Sequence, residues 1–260
     1  MDLELTGRRA LVTGGSRGIG LAVARTLAAE GADVALVARG EEALRAAAED
    51  VARASGRTVI AAPADTGDDA SVAAMVGQVV AQLGGVDILV NAAATPATGA
   101  PFTDDDLEGE INVKVRGYLR CARAVAPLMV ESGWGRIVNI AGLAARSTGN
   151  IVGTVRNVAV AAMTKNLADE LGPRGVNVTV VHPGMTRTER TPEAMAAMAQ
   201  SRGTTVEELE RALESGVAIG RLVTAAEVAA VVAFLASPKS VALNGDPVAA
   251  GGGARGSIYY

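Results

Sequence analysis

The chain has 260 residues, 49% of them hydrophobic, and a formal net charge of −4. That apolar share with so little charge excludes disorder and is ample for a sizeable core. No basic block is present, which excludes nucleic acid as an expected partner; a single cysteine (Cys121) and a single histidine (His182) exclude disulfides and point to no metal site.

Taken in order, Arg9 to Thr13 reads as the first strand and Ile19 to Glu30 as a helix stopped by Gly31. Val34 to Ala38 is a second strand, followed by a helix from Glu41 to Ser55. Thr58 to Ala61 is a third strand, and Asp68 to Leu83 the next helix. Asp87 to Val90 makes a fourth strand, a long fourth helix covers Thr103 to Glu131, and Arg136 to Ile140 is the fifth strand. A fifth helix fits Thr154 to Leu171, and Val176 to Val181 the sixth strand. These strands are continuously apolar rather than alternating, as expected where helices cover both faces of a parallel sheet. The repeated β-then-α order predicts an α/β fold with a doubly wound parallel sheet, in one domain over residues 1–260.

The rhythm breaks at about 188–220. Two short helices are signalled there, by Thr191-Pro192 and by Thr205 with Glu208 three residues on, and Met195 and Met198 lie among them. Such an insertion suits a substrate lid; a surface helical hairpin is the alternative. Met1-Asp2-Leu3-Glu4 is charged and runs at once into a strand pattern, so no secretory signal is expected. The longest apolar run, Val223 to Leu235, carries Glu227 and is too short to span a bilayer. A cytoplasmic protein without a membrane partner is expected.

Between the first strand and first helix stands Thr13-Gly14-Gly15-Ser16-Arg17-Gly18-Ile19-Gly20. Glycines there let backbone pass close to a pyrophosphate, and the helix start offers free N–H groups and the positive end of its dipole. With this octet the chain resembles the short-chain dehydrogenase/reductase family over nearly its full length. Asp65, Asn91, Asn112, the stretch Gly135 to Ile140, the Pro183-Gly184-Met185-Thr186-Arg187-Thr188 motif and Gly245 to Gly252 also match. The resemblance implies an NAD(P)-binding Rossmann fold and an oxidoreductase with a small carbonyl- or hydroxyl-type substrate. It also implies a homo-oligomer, dimer or tetramer, through the fourth and fifth helices, where Val158 to Met163 is small and apolar enough to meet a neighbour or the chain's own sheet.

By the same resemblance the cofactor site comprises Gly14, Ser16, Arg17, Gly18, Ile19 and Gly20, with Pro183, Gly184 and Thr186 from the later motif. Asp65 would meet the adenine amino group, Asn91 the ribose side, and Thr188 the nicotinamide carboxamide or the phosphates. The dinucleotide can be argued physically. An acid at the end of the second strand would accept from a ribose 2′-OH and repel a 2′-phosphate, but Ala38 stands there, followed by Arg39. Arg39 and Arg17 together offer a forked, positive phosphate clamp, so NADP(H) is expected.

The acid–base residues depart from the family pattern. That pattern places a Tyr and, four residues on, a Lys on the fifth helix, a Ser after the fifth strand and an Asn in the fourth helix. Anchored on Asn166 to Gly172, the Lys position falls on Asn157 and the Tyr position on Gly153; the Ser position falls on Gly142 or Ala141. No Tyr lies between Tyr118 and Tyr259, and no Lys between Lys114 and Lys165, so only Asn112 is retained. Asn157 could still bond ribose hydroxyls. Arg156 points about 100° around the helix from Asn157, which leaves Arg146, Ser147, Thr148, His182 and the terminal Tyr259 and Tyr260 as polar candidates. Three readings follow: an NADPH-dependent oxidoreductase with a different acid–base group, a non-catalytic NADP(H)-binding subunit or sensor, or non-redox chemistry on the same scaffold.

Overall fold

The apolar runs become the strands of one sheet because each needs cover on both faces, and helices supply it from either side. The computed structural model describes residues 1–95, 102–148 and 150–255; Tyr259 and Tyr260 lie outside them. In chain order the elements are β1 (Arg9–Thr13), α1 (Gly18–Ala29), β2 (Asp33–Val37), α2 (Glu41–Ser55), β3 (Val59–Ala61), α3 (Asp69–Leu83) and β4 (Ile88–Asn91). Then come α4 (Asp104–Glu110), a π-helical segment (Ile111–Arg116), α5 (Gly117–Glu131), β5 (Gly135–Ile140), α6 (Ile151–Leu171) and β6 (Val176–Pro183). The chain continues through β7 (Thr186–Arg187), α7 (Thr191–Arg202), α8 (Val206–Ser215), β8 (Val223–Thr224), α9 (Ala225–Ala236) and β9 (Pro247–Ala250).

Seven strands run parallel in the order β3-β2-β1-β4-β5-β6-β9. The order reverses between β1 and β4, the point where a doubly wound sheet opens a crevice at the carboxyl ends of its strands. Register makes those ends level: Thr13 pairs with Asn91, and Asn91 with Asn139. One core, with Val23, Leu27, Leu44, Val228 and Val232, lies under α1, α2 and α9; the other, with Met75, Val79, Cys121, Val125 and Leu171, lies under α3, α5 and α6. The doubly wound α/β fold is thus as expected from the sequence.

Three features differ from the sequence reading. The fourth helix carries a π turn between α4 and α5. The run Val223 to Leu235 is β8 and α9, with Thr224 and Glu227 closing a capping box. Pro247–Ala250, inside the glycine-rich closing stretch, is the seventh strand, β9. At the opposite, amino-terminal edge of the sheet the only tryptophan, Trp134, lies between Arg8 and Arg136, whose guanidinium carbons are 3.8 and 4.7 Å from the ring centre.

Candidate functional site

The turn from β1 into α1 is built by close approach. Thr13 Oγ1 accepts from the N–H groups of Ala92 (3.0 Å) and Ala93 (3.2 Å), tying the ends of β1 and β4 together. Gly14 has φ +67, and a Cβ there would lie 2.7 Å from the Ala92 carbonyl oxygen; a Cβ on Gly20 would strike the Gly14 carbonyl. Neither position can carry a side chain without moving backbone. Arg17, at the N-cap, is extended and gives α1 no side-chain cap, so the amides of its first turn face forward.

One of those amides is engaged from far along the chain: Gly18 N–H donates to Glu189 Oε1 at 2.8 Å. Thr188 lies beside it, its methyl 3.8 Å from where a Gly18 Cβ would sit. Arg17 and Arg39 are both exposed, and neither guanidinium is engaged by a carboxylate among the described residues. Asp65 is exposed and accepts from Gly67 N–H at 2.8 Å.

Asn91 ends β4 beside the turn from β1 into α1, at the place the resemblance gives to the ribose-side backbone. Its side chain is wholly buried in the sheet, where Nδ2 donates to Asn139 Oδ1 (2.9 Å) and to the Tyr118 carbonyl (3.3 Å). Asn139 Nδ2 in turn donates to Thr164 Oγ1 at 2.9 Å. This chain braces β4, β5 and α6 beneath the crevice. At the end of β6, Pro183 is buried, Thr186 Oγ1 donates to the Gly184 carbonyl at 2.9 Å, and Gly184 packs against Gly251.

At the carboxyl end of β5, Gly142 is extended, and a Cβ there would lie 3.2 Å from Asn157 Nδ2. Asn157 is 3% exposed, and its Oδ1 has no hydrogen-bond partner among the described residues. Gly153, one turn before it on the same face of α6, donates its N–H to Asn150 Oδ1 at 2.7 Å. The Gly142 carbonyl accepts from His182 Nδ1 at 2.8 Å, and burial, its largest influence, lowers the imidazole pKa. Gly142, Asn157 and His182 are therefore brought together.

Asn112 is not among them. Its Nδ2 donates to the Gly67 carbonyl (3.2 Å) and its Oδ1 accepts from Arg120 (3.0 Å), so it faces the loop after β3. Residues two apart on a helix face opposite ways, and it is Lys114 that faces β5. Lys114 is 4% exposed, with Nζ 3.0 Å from the Ala141 carbonyl. One turn further, Tyr118 OH donates to the Ile140 carbonyl at 3.0 Å. Behind Lys114, buried Glu110 pairs with Arg156 from α6. Burial pulls the Lys114 amine down to about 7, helped by Arg156 and opposed by Glu110. The sequence held a signal for this group, three lysines in all and one of them inside the fourth helix.

Beyond the crevice, α7 and α8 share a small core of Met195, Ala199, Leu209 and Leu222. Their segment is bracketed by the short β7–β8 pairing, and Arg187 binds both Glu210 and Glu214.

Four findings from comparison with known proteins bear on this arrangement. The sequence profile described as short chain dehydrogenase matches residues 8–199. A short-chain reductase protein, NovJ, of Streptomyces niveus is 36% identical over 247 residues, covering 94% of this chain and 92% of its own. Among solved structures, L-sorbose reductase from Gluconobacter frateurii, complexed with NADPH and L-sorbose, superposes with a TM-score of 0.92 at 28% identity over 99% of this chain and 100% of its own. A short chain dehydrogenase from Burkholderia cenocepacia in complex with NADP is 38% identical, with a TM-score of 0.82 over 96% of this chain and 98% of its own.

Proposed function

The chain belongs to the short-chain dehydrogenase family, and on that footing we propose that it is an NADP(H)-dependent oxidoreductase acting on a small carbonyl- or hydroxyl-type substrate with an atypical acid–base set. One observation carries the cofactor: two exposed guanidiniums, Arg17 and Arg39, flank a glycine turn whose backbone can be approached closely and whose helix start is uncapped. The NADPH complex of the sorbose reductase and the NADP complex of the Burkholderia protein support the same cofactor.

The residues fit the group. Pyrophosphate would take the amides of Gly18 and Ile19 in place of Glu189, and the unpartnered Asn157 Oδ1 would accept from a ribose hydroxyl. Asp65 and Thr188 keep the roles that the family resemblance implies. Bound there, the cofactor supplies hydride. Gly142 and Gly153 stand where the family's Ser and Tyr are expected, and neither carries a group able to move a proton.

We read residues 1–260 as one domain of a cytoplasmic protein, with the segment at about 188–220 as a cover over the substrate, carried by α7 and α8. Self-association through α5 and α6 is supported by exposed Ile151, Val155 and Val158 along one stripe of α6, and by a separate groove between α5 and the later turns of α6, lined by Leu119, Ala126 and Leu171.

The test is a fluorescence titration with NADPH and NADH, followed by NADPH oxidation against a panel of ketones, ketoses and enones. NADPH is expected to bind on the order of 10-fold or more tighter than NADH, two charge-assisted contacts being at stake. Arg39→Asp should reverse that preference; an unchanged NADPH affinity in this variant refutes the clamp. The missing Tyr and Lys favour a second reading, a non-catalytic NADP(H)-binding subunit or sensor, which tight binding without turnover on any compound would establish.

A further inference from the structure

Phosphate and ribose binding make no use of the ions buried beneath the carboxyl edge of the sheet, and one of these ends at the acid–base position. Lys114 Nζ is hydrogen-bonded to the carbonyl of the peptide that leads into Gly142. Its two other N–H donors have no hydrogen-bond partner among the described residues. No carboxylate forms an ion pair with it among the described residues: Glu110 Oε2 pairs with Arg156, and Glu110, whose Oε1 is buried there without a hydrogen-bond partner, acts on the amine through its charge alone. Burying an ammonium without a direct ion pair is costly, and one bond to a carbonyl does not by itself account for a lysine at this place. Gly142 adds no side chain beside the peptide that Lys114 holds, and its missing Cβ would face only Asn157.

Resting on the oxidoreductase reading, we infer that Lys114 is the catalytic acid–base residue of this site, giving its proton to the substrate's carbonyl oxygen. The carbonyl carbon receives hydride from bound NADPH while its oxygen takes a proton from the Lys114 ammonium. The products are an alcohol, NADP⁺ and a neutral amine, which solvent reprotonates. In the oxidative direction the neutral amine removes the proton of the alcohol. Charged and titratable groups face Lys114 from three elements: Glu110 on α4, Arg156 on α6 and His182 on β6, whose imidazole feels the lysine charge. Burial first, then Arg156, opposed by Glu110, pull the amine down to about 7, the range in which a general acid can both hold and release a proton.

With three lysines in the chain, carbon-13 spectra of lysine-labelled protein resolve the side-chain amines, and Lys114→Met assigns the buried one. That signal is expected to titrate near neutrality and to move when NADP⁺ binds. The kcat for NADPH oxidation with the ketone panel should fall by about 10²–10⁴-fold in both Lys114→Met and Lys114→Arg, with NADPH Kd changed less than about 3-fold. Arginine keeps the charge but holds its proton, so it separates proton delivery from packing, and the limb of the wild-type pH profile near neutrality should vanish with it. Full turnover in either variant, an ordinary lysine titration, or a signal indifferent to NADP⁺ overturns the inference while the oxidoreductase reading stands. A wild-type protein that binds NADPH and reduces nothing overturns both.

Discussion

At the end of β1 the surface offered to a ligand is backbone, whereas at the end of β5 it is side chain. The first region relies on glycines at Gly14 and Gly20 that admit no Cβ, and on amides aimed by a helix start. The second relies on long polar groups, Lys114, Asn157 and His182, delivered from three different elements. Backbone geometry of the first kind leaves few alternatives. Side-chain chemistry leaves several, because a proton can be brought to one point from any neighbouring element that reaches it. On the proposed reading, that difference lets the nucleotide end keep its backbone geometry while the acid–base group comes from another element.

The sharpest way to break the comparison is Gly20→Val, whose Cβ would strike the Gly14 carbonyl. NADPH binding should weaken by more than about 100-fold in titration, since backbone must move out of the phosphate path. Next, Arg17→Ala with Arg39→Ala should cost NADPH roughly 10–100-fold in Kd and leave NADH nearly unchanged. If both dinucleotides weaken alike, the arginines serve the fold rather than the 2′-phosphate.

A stability measurement probes the other end. Burial pulls the Lys114 amine down to about 7 in the folded protein, from the ordinary lysine value of 10.5 that the unfolded chain keeps. Between those two pH values the unfolded chain holds one more proton, so this group makes stability rise with pH through that window, and its penalty is fully present below it. Lys114→Met removes the rise. The unfolding free energy of the variant, relative to wild type and measured by denaturant titration, should therefore be highest near the acid side and decline towards pH 9, by at most about 1.4 kcal/mol per pH unit. Parallel pH curves for the two proteins would show that Lys114 is not held as described.

Smaller effects complete the series. Glu189→Gln takes a carboxylate away from Gly18 N–H and should tighten NADPH by about 3–10-fold, because one competing anion at a helix start is worth roughly 1 kcal/mol. Gly142→Ala should change kcat by less than about 3-fold, since its Cβ meets the movable end of Asn157 rather than backbone. Together with Gly20→Val, it sets a tolerant glycine against an intolerant one on the same edge of the sheet.

Much of the frame was legible before any coordinates. The first six strands were read within a residue or two, because uninterrupted β-branched runs between helical stretches have few other uses. β9 was not read: four residues headed by Pro247 carry too little pattern. Nor was α9, apolar on nearly every side because it is packed between α1 and the sheet. The glycine turn was legible because its signal is local. Which of Asn112 and Lys114 faces β5 is not legible in the sequence, because only the packed helix shows it. The contact from Glu189 to Gly18 joins residues 171 apart in sequence, and no spacing rule reaches that far.

The clasp of Arg8 and Arg136 on Trp134 has a practical consequence. It holds the chain's only indole at the amino-terminal edge of the sheet, one β5 length, about 20 Å, from the crevice. Indole emission then follows the loosening of that far edge, while nicotinamide emission follows occupancy of the near one. A single cuvette read at two wavelengths thus distinguishes a variant that has lost its ligand from one that has lost its fold.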